Sequence, residues 1–239
     1  YTQPPFEVSV AMEDIFVDAT DLPKTLFVQL SATDVLGQVT EQSFNTQVHS
    51  RLRWKFDMVY EVKGSPGVFP NGNVVFGNNG GELYSFTPDG QEAWKANVGY
   101  QISDGVQVDP ETGNVYFGTI GEGNQIYGFN SGGSQIWSQS HPDQSPASGR
   151  ITVGGGSVYA LLFNGRVLAM DKNSGSEVWS VLLPDNIVGS PAVAPSGRVY
   201  AGCLDSRFRA VESSGVIWDF TTGDEVRSTA AIGSQGVVY

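Results

Sequence analysis

The chain has 239 residues, enough to bury a sizeable core without a disulfide staple, and its single cysteine, Cys203, rules out an intrachain bridge or a cysteine-based zinc cluster. Thirteen Lys+Arg against twenty-five Asp+Glu give a formal charge of −12, a field that argues against nucleic acid and anionic membrane surfaces as partners. No apolar run reaches membrane-spanning length, and 29 Val against 12 Leu with 30 Gly and 12 Pro point to a β-rich, turn-rich chain rather than a helical one.

Residues 1–48 contain no Trp and read as strands at Phe6–Val10, Asp14–Asp18, Thr25–Thr33 and Thr40–Val48, with a hairpin turn at Asp34-Val35-Leu36-Gly37. This hairpin resembles the closing one of bacterial immunoglobulin-like or cadherin-like modules. The resemblance implies a partial β-sandwich segment over 1–48, with embellishment of the following domain as the alternative.

From residue 49 to 239 the chain repeats. The tryptophans fall at 54, 94, 137, 179 and 218, in steps of 40, 43, 42 and 39 residues. A second series keeps the same period: Gly72-Asn73-Val74-Val75-Phe76-Gly77, Gly113-Asn114-Val115-Tyr116-Phe117-Gly118, Gly156-Ser157-Val158-Tyr159-Ala160, Gly197-Arg198-Val199-Tyr200-Ala201-Gly202 and Gly236-Val237-Val238-Tyr239. Between the markers lie short runs read as alternating strands, such as Glu82-Leu83-Tyr84-Ser85-Phe86, each followed by a turn that leads into a Trp. A unit of about 40 residues with four short strands matches one blade of a β-propeller. The expected innermost strands are 65–69, 105–109, 149–153, 189–194 and 228–232. The expected fold is therefore all-β, a propeller with four complete four-stranded blades and part of a fifth, behind an N-terminal β-sandwich-like segment. Ser50–Trp54 reads as a fourth strand without its own third strand, so the chain reads as a fragment or processed form.

The stretch Ala169-Met170-Asp171-Lys172-Asn173-Ser174-Gly175-Ser176-Glu177-Val178-Trp179 closely resembles the Ala-x-Asp-x-x-Thr-Gly-x-x-x-Trp docking motif of the pyrroloquinoline-quinone-type (PQQ-like) propeller repeat, with Ser174 in place of Thr. Ser190-Pro191-Ala192-Val193 and Gly197-Arg198-Val199-Tyr200 resemble further elements of that repeat. The other units are looser: Ser85, Gly128 and Ala210 stand where Ala is expected, and Thr87, Asn130 and Glu212 where Asp is. The resemblance implies structural docking between blades for Trp54, Trp94, Trp137, Trp179 and Trp218 and for Ala169, Asp171 and Gly175, each Trp interlocking with the small residue of a neighbouring blade.

Motifs that carry chemistry are scarce. His49 and His141 lack metal-ligand spacing, no nucleophile elbow, Walker loop or EF-hand loop is present, and Asp109-Pro110-Glu111-Thr112-Gly113 and Gly154-Gly155-Gly156 read as turns. Quinoprotein dehydrogenases of this repeat use an adjacent Cys pair and a calcium-binding acidic set; Cys203 has no neighbouring Cys and the acidic set finds no match, so no cofactor and no metal are expected. Ligands of propellers gather at the axial mouth. The loops leading into the innermost strands place there Tyr60, Glu61, Tyr100, Asp104, His141, Asp143, Asp185, Asn186, Asp224 and Glu225, a mixed aromatic and acidic rim.

With the resemblance, these features imply a non-catalytic extracytoplasmic binding or scaffold propeller, a module of a larger cell-surface, periplasmic or secreted protein, with a protein or glycan of the cell envelope as ligand. The alternatives are a piece of a quinone- and calcium-dependent alcohol or sugar dehydrogenase, and a carbohydrate-binding module. The Gly236–Tyr239 edge is expected to leave an open arc or to pair with another polypeptide.

Overall fold

The computed structural model describes residues 24–33, 37–48, 54–102, 104–121, 124–140 and 151–239. They fall into two units, Tyr1–Phe56 and Asp57–Tyr239. In the first, β1 (Lys24–Thr33) pairs antiparallel with β2 (Val39–Val48), Lys24 opposite Val48 and Thr33 opposite Val39. The strands expected at Phe6–Val10 and Asp14–Asp18 lie outside the described residues, as do residues 50–53 of the expected strand ending at Trp54. Trp54 itself is half-buried in irregular backbone.

Among its described residues the second unit contains four antiparallel four-stranded sheets, each a meander in chain order. The first is β3 (Gly67–Val68), β4 (Val74–Gly77), β5 (Glu82–Phe86) and β6 (Glu92–Asn97). The second is β7 (Gln107–Val108), β8 (Val115–Gly118), β9 (Gln125–Phe129) and β10 (Gln135–Ser140). The third is β11 (Thr152–Gly154), β12 (Ser157–Leu161), β13 (Arg166–Asp171) and β14 (Glu177–Leu182), and the fourth is β15 (Ala192–Val193), β16 (Val199–Cys203), β17 (Arg207–Glu212) and β18 (Gly215–Thr221). The short first strands adjoin one another in order, β3 beside β7, β7 beside β11 and β11 beside β15. Hydrogen bonds rope them together: Val106 N donates to Ser65 O at 3.1 Å, Thr152 Oγ1 to Pro191 O at 2.8 Å and Ser190 N to Thr229 Oγ1 at 2.9 Å. A fifth unit begins with Ala231 and Tyr239 exchanging both backbone hydrogen bonds. The architecture is that of a β-propeller, four blades and part of a fifth.

The cores lie between blades. Val115 and Phe117 of β8 join Val75 and Leu83 of the first blade, while Tyr116, pointing the other way, joins Val158, Ala160 and Leu168 of the third. Likewise Tyr159 and Leu161 of β12 meet Val199, Ala201 and Cys203 of the fourth blade. Middle strands covered on both faces have no reason to alternate with polar residues. The polar-apolar alternation expected for the third-strand runs is accordingly lost: β5, β9 and β13 are buried at four consecutive positions each.

One device recurs at the fourth strand of every blade. The register slips by one residue just before the tryptophan, in a β-bulge at Ala93, Ile136, Val178 and Ile217. Each Trp thereby faces the small residue of the third strand in its own sheet: Ser85 opposite Trp94, Gly128 opposite Trp137, Ala169 opposite Trp179 and Ala210 opposite Trp218. The neighbouring blade contributes its turn glycine instead. A Cβ on Gly133 would sit 2.6 Å from the Trp94 ring, and one on Gly175 2.6 Å from the Trp137 ring. The indole N–H completes the contact, Trp94 Nε1 donating to Ser131 O at 2.9 Å and Trp137 Nε1 to Lys172 O at 3.0 Å.

The third seam differs. The hairpin from Glu212 to Gly215 in the fourth blade has only two turn residues, Ser213 and Ser214, and nothing lies within 4 Å of a Cβ placed on Gly215. Trp179 therefore packs against the core of the seam and on Tyr159, ring centroids 6.2 Å apart, rather than on a turn.

Replacing Trp137 by Ala is expected to lower the unfolding free energy by about 3–5 kcal/mol, the usual cost of emptying a buried aromatic site. Trp218, 40% exposed, should cost less than about 1.5 kcal/mol on the same replacement. Urea titrations followed by circular dichroism measure both.

Candidate functional site

The loops that lead into the innermost strands are fastened by a repeated pair of backbone hydrogen bonds. One runs to the preceding blade: Ile102 N to Asn78 O at 3.1 Å, Ile187 N to Phe163 O at 3.3 Å and Val226 N to Cys203 O at 3.1 Å. The other ties the loop to the turn between the middle strands of its own blade: Asn79 N to Glu61 O at 2.9 Å, Ile120 N to Gln101 O at 3.0 Å and Leu204 N to Asn186 O at 3.0 Å. The rim is thus held by the main chain, with Ile102 and Ile187 buried as anchors beneath it.

These side chains form separate sectors rather than one cluster. Tyr60, Glu61 and Tyr100 gather at the Asn78–Gly81 turn of the first blade. Asp104 lines an axial cleft of about 510 Å3 together with Gln107, Thr152, Ser190, Arg227 and Thr229. Asp185 and Asn186 offer their carbonyls to the buried Cys203 thiol at 3.1 and 3.4 Å, their loop lying over the fourth blade. Asp224 accepts the Glu225 N–H at 2.8 Å, and Glu225 pairs with Arg227. His141 and Asp143 lie outside the described residues. Arg227, Asn79, Gln101 and the axial hydroxyls were not among the expected rim residues; the polar, glycine-containing Asn78-Asn79-Gly80-Gly81 turn between the middle strands was the available signal for Asn79.

The ionisable groups with shifted pKa values belong mostly to the frame. Burial pushes the Asp109 carboxyl upward, but hydrogen bonds from Glu111 N (3.0 Å), Thr112 Oγ1 (2.8 Å) and the Lys172 ammonium (3.0 Å) together hold it below its ordinary value. Lys172 is the central link of the second seam. Its ammonium reaches Asp109 and Glu111 of the second blade, and its carbonyl accepts from both Trp137 Nε1 and, at 2.9 Å, Tyr116 OH. Asp171 beside it accepts from Ser174 N at 2.8 Å and Ser174 Oγ at 2.9 Å, which lowers its pKa and shapes the turn carrying Gly175. Arg209, 5% exposed, is held bidentately by Asp205, and that hydrogen bonding raises the one pKa and lowers the other. Burial pushes the Cys203 thiol up, which leaves it a poor nucleophile.

A family model described as outer membrane protein assembly factor BamB matches residues 47–235. The chain belongs to this BamB-like family of PQQ-type propeller repeats. Among solved structures, BamB from Moraxella catarrhalis superposes with a TM-score of 0.62 at 16% identity, covering 75% of this chain and 58% of that one. A protein of unknown function from Bacteroides caccae superposes with a TM-score of 0.54 at 16% identity, covering 90% of this chain and 81% of that one. The chain thus spans less than two thirds of the BamB chain. A comparison with curated protein sequences finds no match. At these identities the solved structures establish the fold, and among the described residues no helix is long and apolar enough to cross a membrane.

A carboxylate whose folded pKa lies below its unfolded value contributes stability that is complete above the unfolded value and is lost as pH falls through the folded one. The Asp109 contribution is therefore full above its ordinary value of 3.8 and disappears below it. Between pH 6 and pH 3 the melting temperature should fall, and Asp109→Asn should flatten that slope while costing about 2 kcal/mol at pH 6. For Cys203, a thiol-reactive dye should label the native chain far more slowly than the chain in 6 M guanidinium.

Proposed function

We propose that the chain is a non-catalytic binding propeller on the extracytoplasmic side of a cell envelope, presenting its rim loops to a protein partner. The observation that carries this reading is the use made of charge. Glu82, Asp109, Asp171, Lys172, Asp205 and Arg209, charged groups whose protonation equilibria are displaced, are paired with one another or with strand and turn partners, so their chemistry is spent on holding blades and hairpins in place. The exposed rim side chains, Asp185, Asp224 and Glu225 among them, ride on loops fixed by backbone hydrogen bonds. A prearranged surface of this kind suits association, because little ordering entropy has to be lost on docking.

Two further considerations support it. The matching family model is described as an outer membrane protein assembly factor, which makes a protein partner at the envelope the natural expectation for a relative with the same repeat. The charge of −12 favours a partner with a basic face and speeds its encounter at low salt.

The immobilised chain, equilibrated with a cell-envelope extract, should retain a specific protein. Retention should weaken as salt is raised from 50 to 300 mM, and the double charge reversal Asp185→Lys/Asp224→Lys should reduce it about tenfold or more. Dye reduction by the chain supplied with pyrroloquinoline quinone, Ca2+ and an alcohol, together with extract binding that the double variant leaves unchanged, would overturn the proposal.

A further inference from the structure

We propose that the first-blade sector of the rim is a binding site for a neutral pyranose glycan. The inference rests on the rim being a binding face, and it assigns to one sector of that face a ligand class of its own.

The site is built on a single turn. Asn78–Gly81 joins β4 to β5, and two separate segments are stapled to it: one through Asn79 N to Glu61 O (2.9 Å), the other through Val98 N to Gly81 O (2.9 Å) and Ile102 N to Asn78 O (3.1 Å). The two glycines of the turn leave room for one segment each, Gly80 for the Tyr60 ring and Gly81 for the main chain of Gly99 and Tyr100. A Cβ on Gly80 would fall 2.2 Å from Cδ2 of the Tyr60 ring, and one on Gly81 2.6 Å from the Tyr100 nitrogen. The Tyr60 ring thus packs on Gly80 and the main chain of Tyr100 on Gly81, and the two tyrosines are 49% and 38% exposed. Beside Tyr100, Gly99 has nothing within 4 Å of its Cβ position, which leaves the approach open.

A row of planar polar groups accompanies the rings. Gln101 Nε2 donates to Asn79 Oδ1 at 3.0 Å, Asn79 Nδ2 donates to Glu61 Oε2 at 3.2 Å, and Lys63 Nζ meets the same carboxylate oxygen at 3.1 Å. The Gln101 amide is fixed by one partner and the Asn79 amide by two, and each keeps a second N–H; Gln101 Oε1 and Glu61 Oε1 remain as acceptors. A pyranose ring matches this pattern. Its C–H face packs on an aromatic ring, and its vicinal hydroxyls both donate and accept, as the amide and carboxylate edges require.

Two observations select this ligand over others. An extended peptide adding to a sheet needs unpaired main-chain groups, yet the N–H groups of Asn78, Asn79, Gly80, Gly81 and Glu82 are all bonded within the turn and its staples. No main-chain N–H of the turn is left to extend a ladder with such a peptide. The Glu61 carboxylate and a chain charge of −12 work against uronates, phosphates and sulfated sugars.

The test uses the full chain with maltotriose, cellotriose and N,N′,N″-triacetylchitotriose as probes, read by saturation-transfer NMR and calorimetry. At least one trisaccharide should bind, with saturation strongest on its ring C–H protons. Tyr60→Ala and Tyr100→Ala should each weaken it about tenfold, the worth of one aromatic face. Tyr60→Phe should retain most of the affinity, and Gln101→Ala should lose part of it, each with an unchanged thermal melt. Failure of all three sugars to bind, binding unchanged in the double alanine variant, or selection from a displayed heptapeptide library of a ligand that competes for the two tyrosines would each overturn the proposal. Because the Asp185/Asp224 reversal lies in other sectors, loss of protein retention there and loss of sugar binding here are read separately.

Discussion

A four-stranded sheet whose middle strands are apolar on both faces has to be covered twice, and no blade of this chain can do that alone. Val115 and Phe117 face one neighbour while Tyr116 faces the other, and Tyr159 and Leu161 lie back to back with Val158 and Ala160 in the same way. Each seam is a complete hydrophobic core, so stability is distributed between nearest neighbours rather than within blades. The tryptophans register one blade against the next. The bulge before each of them turns the indole across its own sheet, and at the first two seams the ring closes on the glycine of the following turn while its N–H finds a carbonyl there.

This constraint decides where function can reside. The faces of the blades are committed to packing and the inner strands to one another, so variation is left to the loops that cross the axial rim. Those loops are fixed by main-chain hydrogen bonds and by buried anchors such as Ile102 and Ile187, which leaves their exposed polar side chains free of packing. The second seam shows the opposite case. There Lys172 spends its carbonyl on Tyr116 and Trp137 and its ammonium on Asp109, an arrangement that ties charge, ring packing and backbone at a single residue.

The periodic elements were legible in the sequence because the repeat is written twice, once in tryptophans and once in the Gly-x-Val-Tyr strands, and each marker fixes the phase of the other. Their family and fold followed from the same residues. Less legible was anything that depends on a single inserted or missing residue. The bulge at Ile136 or Val178 has no residue signature of its own, so the small residue of the third strand read as a neighbour's contact when it in fact faces the Trp of its own sheet. The two-residue turn at Ser213-Ser214 shortens the last repeat by an amount that looks trivial in sequence and removes a docking contact in space. Rim residues were legible as loop positions but not as groupings. Nothing in the sequence spacing shows that the Tyr60 ring and the Tyr100 main chain both pack on the Asn78–Gly81 turn, or that Asp104 turns to the axis with Arg227.

The central claim is that the indole hydrogen bonds bind blade to blade. Amide-type exchange at the indole N–H groups, followed in a chain labelled with 15N at tryptophan, tests it directly. Trp94 and Trp137 should be protected to the level of the core strands, whereas the Trp218 indole, on an exposed outer strand, should exchange within the dead time of the measurement. Equal exchange at all three would contradict the account, because the recurring bulge and turn glycine would then leave the indoles as open to water as any surface ring.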